Sequence, residues 1–272
     1  MKIMQLIDTH SHLYAEEFDS DRAEALARAR EEGVTTLLLP AIDSQSHERM
    51  LSLALSEPAM CYPMMGLHPT SVNENPHWRE ELAEVERYLD APPQGIKFCA
   101  VGEIGLDYYW SQDYVAEQRE AFITQCRWAA ERNLPIAIHT RAAWDDMCDI
   151  LEQEGERARA NGQRLRGVLH AYSEDGATYR RLAESGDWLF GIGGVVTYKK
   201  STVAEAVNEM SLNDIILETD CPYLTPVPHR GKRNESSYVR FVCEKVAEIK
   251  GISAEEVARA TTENARRMFL ER

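Results

Sequence analysis

Short runs of apolar residues recur along the chain and are separated by longer segments of mixed polarity. Each run is rich in leucine or β-branched residues and is far too short to span a membrane. Continuous apolar runs of this length are typical of strands that are buried on both faces of a parallel sheet. The pattern therefore predicts eight strands, at residues 5–9, 35–42, 61–67, 98–106, 134–139, 166–171, 188–196 and 213–219.

Amphipathic segments lie between several of these runs and predict helices. The segment 21–33 carries Ala25, Leu26 and Ala29 on one stripe and ends on a glycine, which is a common helix-stop residue. The same spacing of apolar positions indicates two further helices, at 114–133 and 234–251, and a capping box of Ser253 and Glu256 indicates the start of another at 253–269.

The alternation of strands and helices indicates an α/β fold. Eight strand–helix units in 272 residues leave 34 residues for each unit, which fits a (β/α)8 TIM barrel formed by one domain over residues 1–272. A doubly wound open sheet is the alternative. No glycine-rich nucleotide-binding motif follows any of the predicted strands, and this absence favours the barrel.

Metal-ligand residue types stand at the ends of six predicted strands. In a barrel these ends meet at one face, where the active sites of such enzymes lie. The residues are His10 and His12 after the first strand, His68 after the third, Glu103 and Asp107 on the fourth, His139 on the fifth, His170 on the sixth and Asp220 after the eighth.

Each of these residues taken alone has an ordinary explanation, such as a buried histidine with a hydrogen bond or an aspartate that caps a helix. Together, however, a buried group of imidazoles and carboxylates is costly unless a cation lies among them. Six ligands exceed the needs of one catalytic metal, so we predict two divalent ions (Mg, Mn, Zn, Co or Ni) with Glu103 as the bridge. The predicted ligands are His10, His12, Glu103, His139, His170 and Asp220.

Composition narrows the classes of function. The chain has 45 acidic and 30 basic residues and a net charge of −15, which argues against a protein that coats nucleic acid. Its six cysteines form no C-x-x-C pair, so we expect them to be reduced and mostly buried in a cytoplasmic protein. We expect no signal peptide, no membrane insertion and no obligate protein partner.

Successive motifs resemble those of the TatD-type metal-dependent deoxyribonucleases of the amidohydrolase superfamily. The resemblance runs nearly end to end, through IDTHSH, GLHPT, VGEIGLDYY, IAIHTRAAWDDM and ILETDCPYLTPVPHRGKRNES. It implies a (β/α)8 barrel, the same six metal ligands and divalent-metal hydrolysis of phosphodiesters. It also implies that His68 and Asp107 lie in the pocket, near substrate or bound water. The chain departs from the family pattern in HAYSED (170–175) and at Ser236, which bears on substrate preference.

We hypothesise that two cations lower the pKa of a bridging water, which then attacks phosphorus in line. Asp220, besides being a ligand, would act as general base, and His68 would polarise a phosphate oxygen or protonate the leaving group. Arg230, Lys232 and Arg233 form a cationic patch for substrate phosphates, although a solvated loop tip is an equal alternative for each.

The negative charge of the chain disfavours long duplexes, so single-stranded ends or short oligonucleotides are the expected substrates, cleaved in the 3′→5′ direction as the resemblance suggests. Tyr108, Tyr109 and Trp110 either pack or stack on bases, and we favour packing.

One alternative to a nuclease is a barrel hydrolase of another small substrate, such as an amide, lactone or phosphoester. Another is a binding protein without catalysis. Glu103 stands where many such hydrolases carry a modified lysine, which favours the nuclease.

Overall fold

Eight parallel strands form the centre of the molecule in the computed structural model, which describes residues 4–271. The strands pair in sequence order, each with the next along the chain. All eight predicted strands are present. They are β1 (Leu6–Asp8), β2 (Val34–Pro40), β3 (Cys61–Met65), β4 (Ala100–Asp107), β5 (Ile136–Arg141), β6 (Arg166–Leu169), β7 (Asp187–Ile192) and β8 (Ile215–Leu217).

Helices follow the strands and cover the outside of the sheet. Their apolar stripes pack against the outer face of the strands, as the amphipathic pattern requires. The helices are α1 (Arg22–Glu31), α2 (Ser44–Ser56), α3 (Trp78–Asp90), α4 (Val115–Glu131), α5 (Trp144–Ala160), α6 (Gly176–Ser185), α7 (Val203–Glu209), α8 (Val239–Lys250) and α9 (Ala254–Phe269).

The first and last strands meet and bring the sheet round into a barrel. The N–H of Thr9 donates to the carbonyl of Leu217 at 3.1 Å. Just beyond, the N–H of Asp220 donates to the carbonyl of His10 at 2.9 Å, and Ser11 and Cys221 form a parallel bridge. These bonds confirm the (β/α)8 TIM barrel and place the residues that follow β1 and β8 side by side.

The interior of the barrel is apolar at the amino ends of the strands. A separate buried cluster takes one or two residues from each strand region, and the end of α9 packs against it through Ala265, Met268 and Phe269. The side chains of Thr262 and Asn264 tie α9 to the backbone at Gln5 and Leu212, just before β1 and β8. The amino end of the barrel is therefore plugged, and only the carboxyl end is left for chemistry.

Two boundaries differ from the sequence predictions. The helix expected at 234–251 begins only at Val239, because Asn234 is buried and its side chain donates to the carbonyls of Thr219 and Tyr223. The sixth strand, expected at 166–171, ends at Leu169, so His170 lies in the loop that follows. All six cysteines are buried. Within residues 4–271, no helix combines the length and the apolar character that crossing a membrane requires.

Candidate metal centre

The predicted ligands converge at the carboxyl end of the barrel. Three overlapping groups of side chains bring their donor atoms within 4.8 Å of one another, and Glu103 belongs to two of these groups. The groups are His10–Glu103–His170, His10–His12–Asp220 and His68–Glu103–His139. All six residues predicted as ligands thus belong to at least one group, together with His68.

Glu103 stands at the centre of the site, and its two carboxylate oxygens face different imidazoles. Oε2 lies 3.1 Å from Nε2 of His10 and 3.7 Å from Nε2 of His12. Oε1 lies 3.1 Å from Nδ1 of His139 and 3.9 Å from Nε2 of His170. A carboxylate that presents one oxygen to each of two imidazole pairs has the arrangement of a bridging ligand.

His12 has a fixed tautomer that leaves one nitrogen open toward the site. The hydroxyl of Tyr14 donates to the carbonyl of Pro40 at 2.7 Å, so it accepts from Nδ1–H of His12 at 2.9 Å. In the neutral ring, Nε2 of His12 therefore carries a lone pair, and only the protonated ring can donate from this nitrogen. This nitrogen lies 3.2 Å from Nε2 of His10 and 3.5 Å from Oδ1 of Asp220. A lone pair among other acceptor atoms is unfavourable unless a cation lies between them.

His139 is held by two carboxylates. Its Nε2 lies 2.9 Å from Oδ2 of Asp107, and its Nδ1 faces Glu103. Gly105 makes this close approach of β4 and β5 possible, since a Cβ there would lie 1.9 Å from the carbonyl oxygen of His139. Asp107 is buried, with 1% of its surface exposed, and its observed partners are His139 and the N–H of Tyr109. Its predicted contact with substrate stays a prediction.

His170 rests on a second carboxylate that lies outside the predicted ligand set. Oε1 of Glu218 lies 2.9 Å from Nδ1 of His170 and accepts from the N–H of Ala171 at 2.6 Å. Gly191 leaves room for this side chain, because a Cβ there would lie 2.1 Å from Oε2 of Glu218. Nε2 of His170 is the nitrogen that faces the site, 3.8 Å from Oδ1 of Asp220 and 3.9 Å from Oε1 of Glu103.

His68 joins the group but is oriented differently from the predicted ligands. The N–H of Thr70 donates to Nδ1 of His68 at 3.2 Å, so Nδ1 is an acceptor. Burial lowers the pKa of His68, so the neutral ring carries its proton on Nε2, which lies 3.5 Å from Oε1 of Glu103. His68 therefore presents a hydrogen-bond donor to the pocket.

The electrostatics of the site favour charged groups that compensate one another. Burial alone would raise the pKa of Glu103, but the imidazoles of His10 and His68 hold it well below its usual range. Burial opposes protonation of His139 and His170 as well. Hydrogen bonds that its ring N–H groups donate to Asp107 and Glu103 nevertheless raise the pKa of His139 to about 9.

The carboxylates around His170 act in the same direction. Burial would lower the pKa of this imidazole, but Glu218 and Asp220 raise it to about 10. In turn the pKa of Asp220 is lowered despite its burial, by a hydrogen bond with His12 and by the charge of His170. Protons or metal ions therefore have to neutralise this acidic cluster, and nitrogen and oxygen donors in this mixture suit divalent transition metals.

The predicted cationic patch divides into residues with different surroundings. The guanidinium of Arg233 forms two hydrogen bonds of 2.7 Å to Asp21 and packs over the ring of Phe18. Arg230 packs over the ring of Tyr198, and Lys232 is exposed. The three residues therefore do not form one patch of unpaired cations.

The aromatic run after β4 is exposed, so the preferred packing interpretation is wrong for two of its residues. Tyr109 and Trp110 are 58% and 66% exposed, and only Tyr108 is half-buried, with a hydrogen bond to Asp146. The guanidinium carbon of Arg141 lies 3.7 Å from the centre of the Tyr109 ring and 5.3 Å from that of Trp110.

Three residues that support the site were not predicted. Tyr14 orients His12, Glu218 orients His170, and Asp8 accepts from both the N–H and the hydroxyl of Thr219, next to Asp220. Burial raises the pKa of Asp8 to about 7 despite these hydrogen bonds. Asp8 stands two residues before the ligand His10 in IDTHSH, and Glu218 stands two residues before the ligand Asp220 in ILETD. This spacing was the sequence signal that could have predicted both as supporting residues.

An eight-stranded barrel with imidazoles and carboxylates gathered at its carboxyl end defines the class of metal-dependent barrel hydrolases. A family model described as TatD related DNase matches residues 7–270. The chain belongs to this family, which confirms the resemblance seen in its motifs.

Relatives of known name agree with this class. The chain is 38% identical to the uncharacterized metal-dependent hydrolase YabD of Bacillus subtilis, over 97% of this chain and 98% of YabD. It is 34% identical to the uncharacterized metal-dependent hydrolase YcfH of Escherichia coli, over 98% of this chain and 96% of YcfH. The crystal structure of YjjV, a TatD homolog from Escherichia coli, superposes with a TM-score of 0.88 at 26% identity, covering 99% of this chain and 100% of YjjV.

Proposed function

We propose that the protein is a phosphodiesterase that holds two divalent ions and cleaves single-stranded or short DNA from the 3′ end. The observation that carries the two-metal part of the proposal is the position of Glu103, whose oxygens face His10 and His12 on one side and His139 and His170 on the other. Paired divalent ions supply an activated water and neutralise charge on the phosphoryl group. The family description as a DNase supports phosphodiester hydrolysis.

We propose that the first ion is held by His10, His12 and Asp220 and the second by His139 and His170, with Glu103 shared. His12 suits ligation because its Nδ1 proton is used by Tyr14, and His170 suits it because Glu218 holds the opposite nitrogen. Imidazole-rich donor sets favour Zn, Mn, Co or Ni over Mg, so we expect activity with one of these four ions.

Asp220 is proposed as general base. Its lowered pKa keeps the carboxylate ionised at neutral pH, and its side chain is 16% exposed at the mouth of the barrel, so it can accept a proton from water. His68 is proposed as the donor to a phosphate oxygen or to the leaving oxygen. Its proton lies on Nε2, because Nδ1 accepts from the N–H of Thr70.

The preference for single strands rests on Tyr109 and Trp110. Both rings are exposed and stand two and three residues after Asp107 on the chain, and Arg141 stands two residues beyond His139 on β5. Unpaired bases stack on exposed aromatic rings and on arginine planes, whereas the bases of a duplex are not available for this contact. The net charge of −15 also disfavours long duplexes.

Metal removal followed by reloading tests the proposal. The stripped protein should hydrolyse neither bis-p-nitrophenyl phosphate nor a labelled single strand, and one of Zn, Mn, Co or Ni should restore both activities. His10→Ala should bind less metal and remain inactive after reloading, with an unchanged circular dichroism spectrum. Hydrolysis of a lactone or amide in place of any phosphodiester would contradict the proposal, and so would full activity without metal.

A further inference from the structure

An open cleft of about 550 Å³ lies at the carboxyl end of the barrel, where the loops after β6, β7 and β8 meet. Its walls carry three cationic side chains and three serine or threonine hydroxyls. They are Lys199, Lys200 and Arg230, and Ser173, Ser201 and Thr202. Ser173 stands three residues beyond His170, so the cleft opens on the same face of the barrel as the candidate metal centre.

The charge of this cleft differs from that of the molecule as a whole. The chain has 45 acidic and 30 basic residues, yet no carboxylate lines the cleft. Glu174 and Asp175 follow Ser173 along the chain, but neither forms part of the wall. Among residues 4–271, no carboxylate oxygen lies within 4.0 Å of the charged nitrogens of the three cations of the cleft.

The loops that carry these cations are fixed to each other. The N–H of Val227 donates to the hydroxyl of Thr197 at 2.9 Å, and the hydroxyl of Tyr198 donates to the carbonyl of Thr225 at 2.9 Å. The guanidinium carbon of Arg230 lies 4.3 Å from the centre of the Tyr198 ring. Hydrogen bonds and a cation–π contact thus hold the loop after β8 against the turn after β7, so the cleft is formed in advance.

We propose that this cleft binds a phosphate group of the substrate strand, away from the bond that is cleaved. The proposal rests on the proposed function, since it assigns a second contact to the same substrate. Two ammonium groups, a guanidinium and neighbouring hydroxyls are the donors that phosphate oxygens accept from in proteins. A cation without a carboxylate partner gains most from such a ligand, because no existing ion pair has to break.

The double variant Lys199→Ala/Lys200→Ala tests the proposal in the metal-loaded enzyme. For a single-stranded decanucleotide, KM should rise at least tenfold while kcat stays unchanged. For bis-p-nitrophenyl phosphate, which is too small to reach a second phosphate site, both constants should stay unchanged. The slope of log(kcat/KM) against log salt should become shallower by about 0.7, because the cleft holds one phosphate and each phosphate contact on a single strand contributes about 0.7.

A matched variant controls for the change in net charge. Lys97→Ala/Lys245→Ala also removes two positive charges, but at other places. Lys97 lies just before β4, and Lys245 lies on α8, where it contacts Glu248. The control should keep the KM and the salt slope of the unmodified enzyme. Equal effects of the two double variants would overturn the proposal, and so would an unchanged decanucleotide KM in Lys199→Ala/Lys200→Ala.

The source of the phosphate can be determined with two forms of the decanucleotide. A rise in KM confined to the strand with a 5′-phosphate assigns the cleft to a terminal phosphate, and a rise on strands with and without it assigns the cleft to an internal phosphodiester.

If the unmodified enzyme hydrolyses no diester, the proposed function fails, but the cleft is still tested by fluorescence anisotropy with a labelled decanucleotide. Weaker binding of the cleft variant than of the control supports the site, and equal binding overturns it.

Discussion

Oε1 of Glu218 lies 2.9 Å from Nδ1 of His170, beneath the candidate metal centre. The carboxylate is almost fully buried and also accepts from the N–H of Ala171. A carboxylate in this position fixes the ring and its tautomer, and it makes the opposite nitrogen a better metal ligand. Glu218 therefore acts on a metal ion through His170 and is a positioning residue.

Glu218→Gln is expected to weaken metal binding by about 10- to 100-fold, because partners of this kind typically contribute that much to affinity. The measurement is competition with a chelator, followed by titration calorimetry. Glu154→Gln is the matched control, since it also neutralises a buried glutamate, but one paired with Arg127 on the helical layer. Equal metal affinity of the two variants would contradict the role of Glu218.

Glu103→Gln is expected to reduce the number of bound metal ions from two to at most one and to abolish diester hydrolysis. The physical reason is that a neutral amide cannot give an anionic oxygen to both sets of imidazoles. Metal content by mass spectrometry, on protein dialysed against the activating ion, gives the stoichiometry. Glu235→Gln, which removes a buried carboxylate paired with Arg28, should keep both ions. Two ions retained in Glu103→Gln would rule out bridging by this residue.

The barrel was predictable because its strands are continuous apolar runs whose meaning does not depend on distant residues. The same reasoning explains the ligands: His10, Glu103 and Asp220 are far apart in sequence, but parallel strands bring their carboxyl ends to one face. Strand ends were less predictable. β6 ends at Leu169, before His170, and β8 ends at Leu217, before Asp220. The type of side chain does not specify where the hydrogen bonding between strands ends.

Pairing between distant side chains was the part that the sequence could not predict. The stretch 230–233 is basic, yet Arg233 is paired with Asp21, and that partner lies more than two hundred residues away. Lys199 and Lys200, in contrast, belong to none of the motifs of the sequence, but they line the same cleft as Arg230. An aromatic run such as Tyr109–Trp110 likewise has the same pattern whether it packs or remains exposed, so only the fold could decide.

Trp110→Ala is expected to raise KM for single-stranded oligonucleotides by a factor that corresponds to about 1–3 kcal/mol, the usual contribution of one stacked base. Hydrolysis of bis-p-nitrophenyl phosphate should not change, since that substrate carries no nucleobase. Steady-state kinetics on both substrates provide the measurement. Leu55→Ala removes another exposed apolar side chain, on α2, and should leave both activities intact. A decanucleotide KM that is unaffected by loss of the indole would exclude stacking at this position.

Metal binding is expected to release protons. In the metal-free protein the pKa of His139 is raised to about 9 and that of His170 to about 10, so both imidazoles are protonated at pH 7. A metal ion binds only the neutral ring, and each ring must therefore lose its proton first. Apparent affinity should rise as the pH increases toward about 10, the higher of the two pKa values.

The folding stability of the metal-free protein should change with pH in the opposite direction to its metal affinity. A histidine whose pKa is raised by folding contributes stability that is fully present below the unfolded pKa of about 6.5 and is lost as pH rises through the folded value. The metal-free protein should thus become less stable between pH 7 and 10, whereas the metal-loaded protein should not show this decline, because its imidazoles are already neutral. Titration calorimetry in buffers of different ionisation enthalpy counts the released protons, and thermal unfolding at several pH values gives the stability. An enthalpy that is the same in every buffer would show that His139 and His170 are neutral before the metal binds.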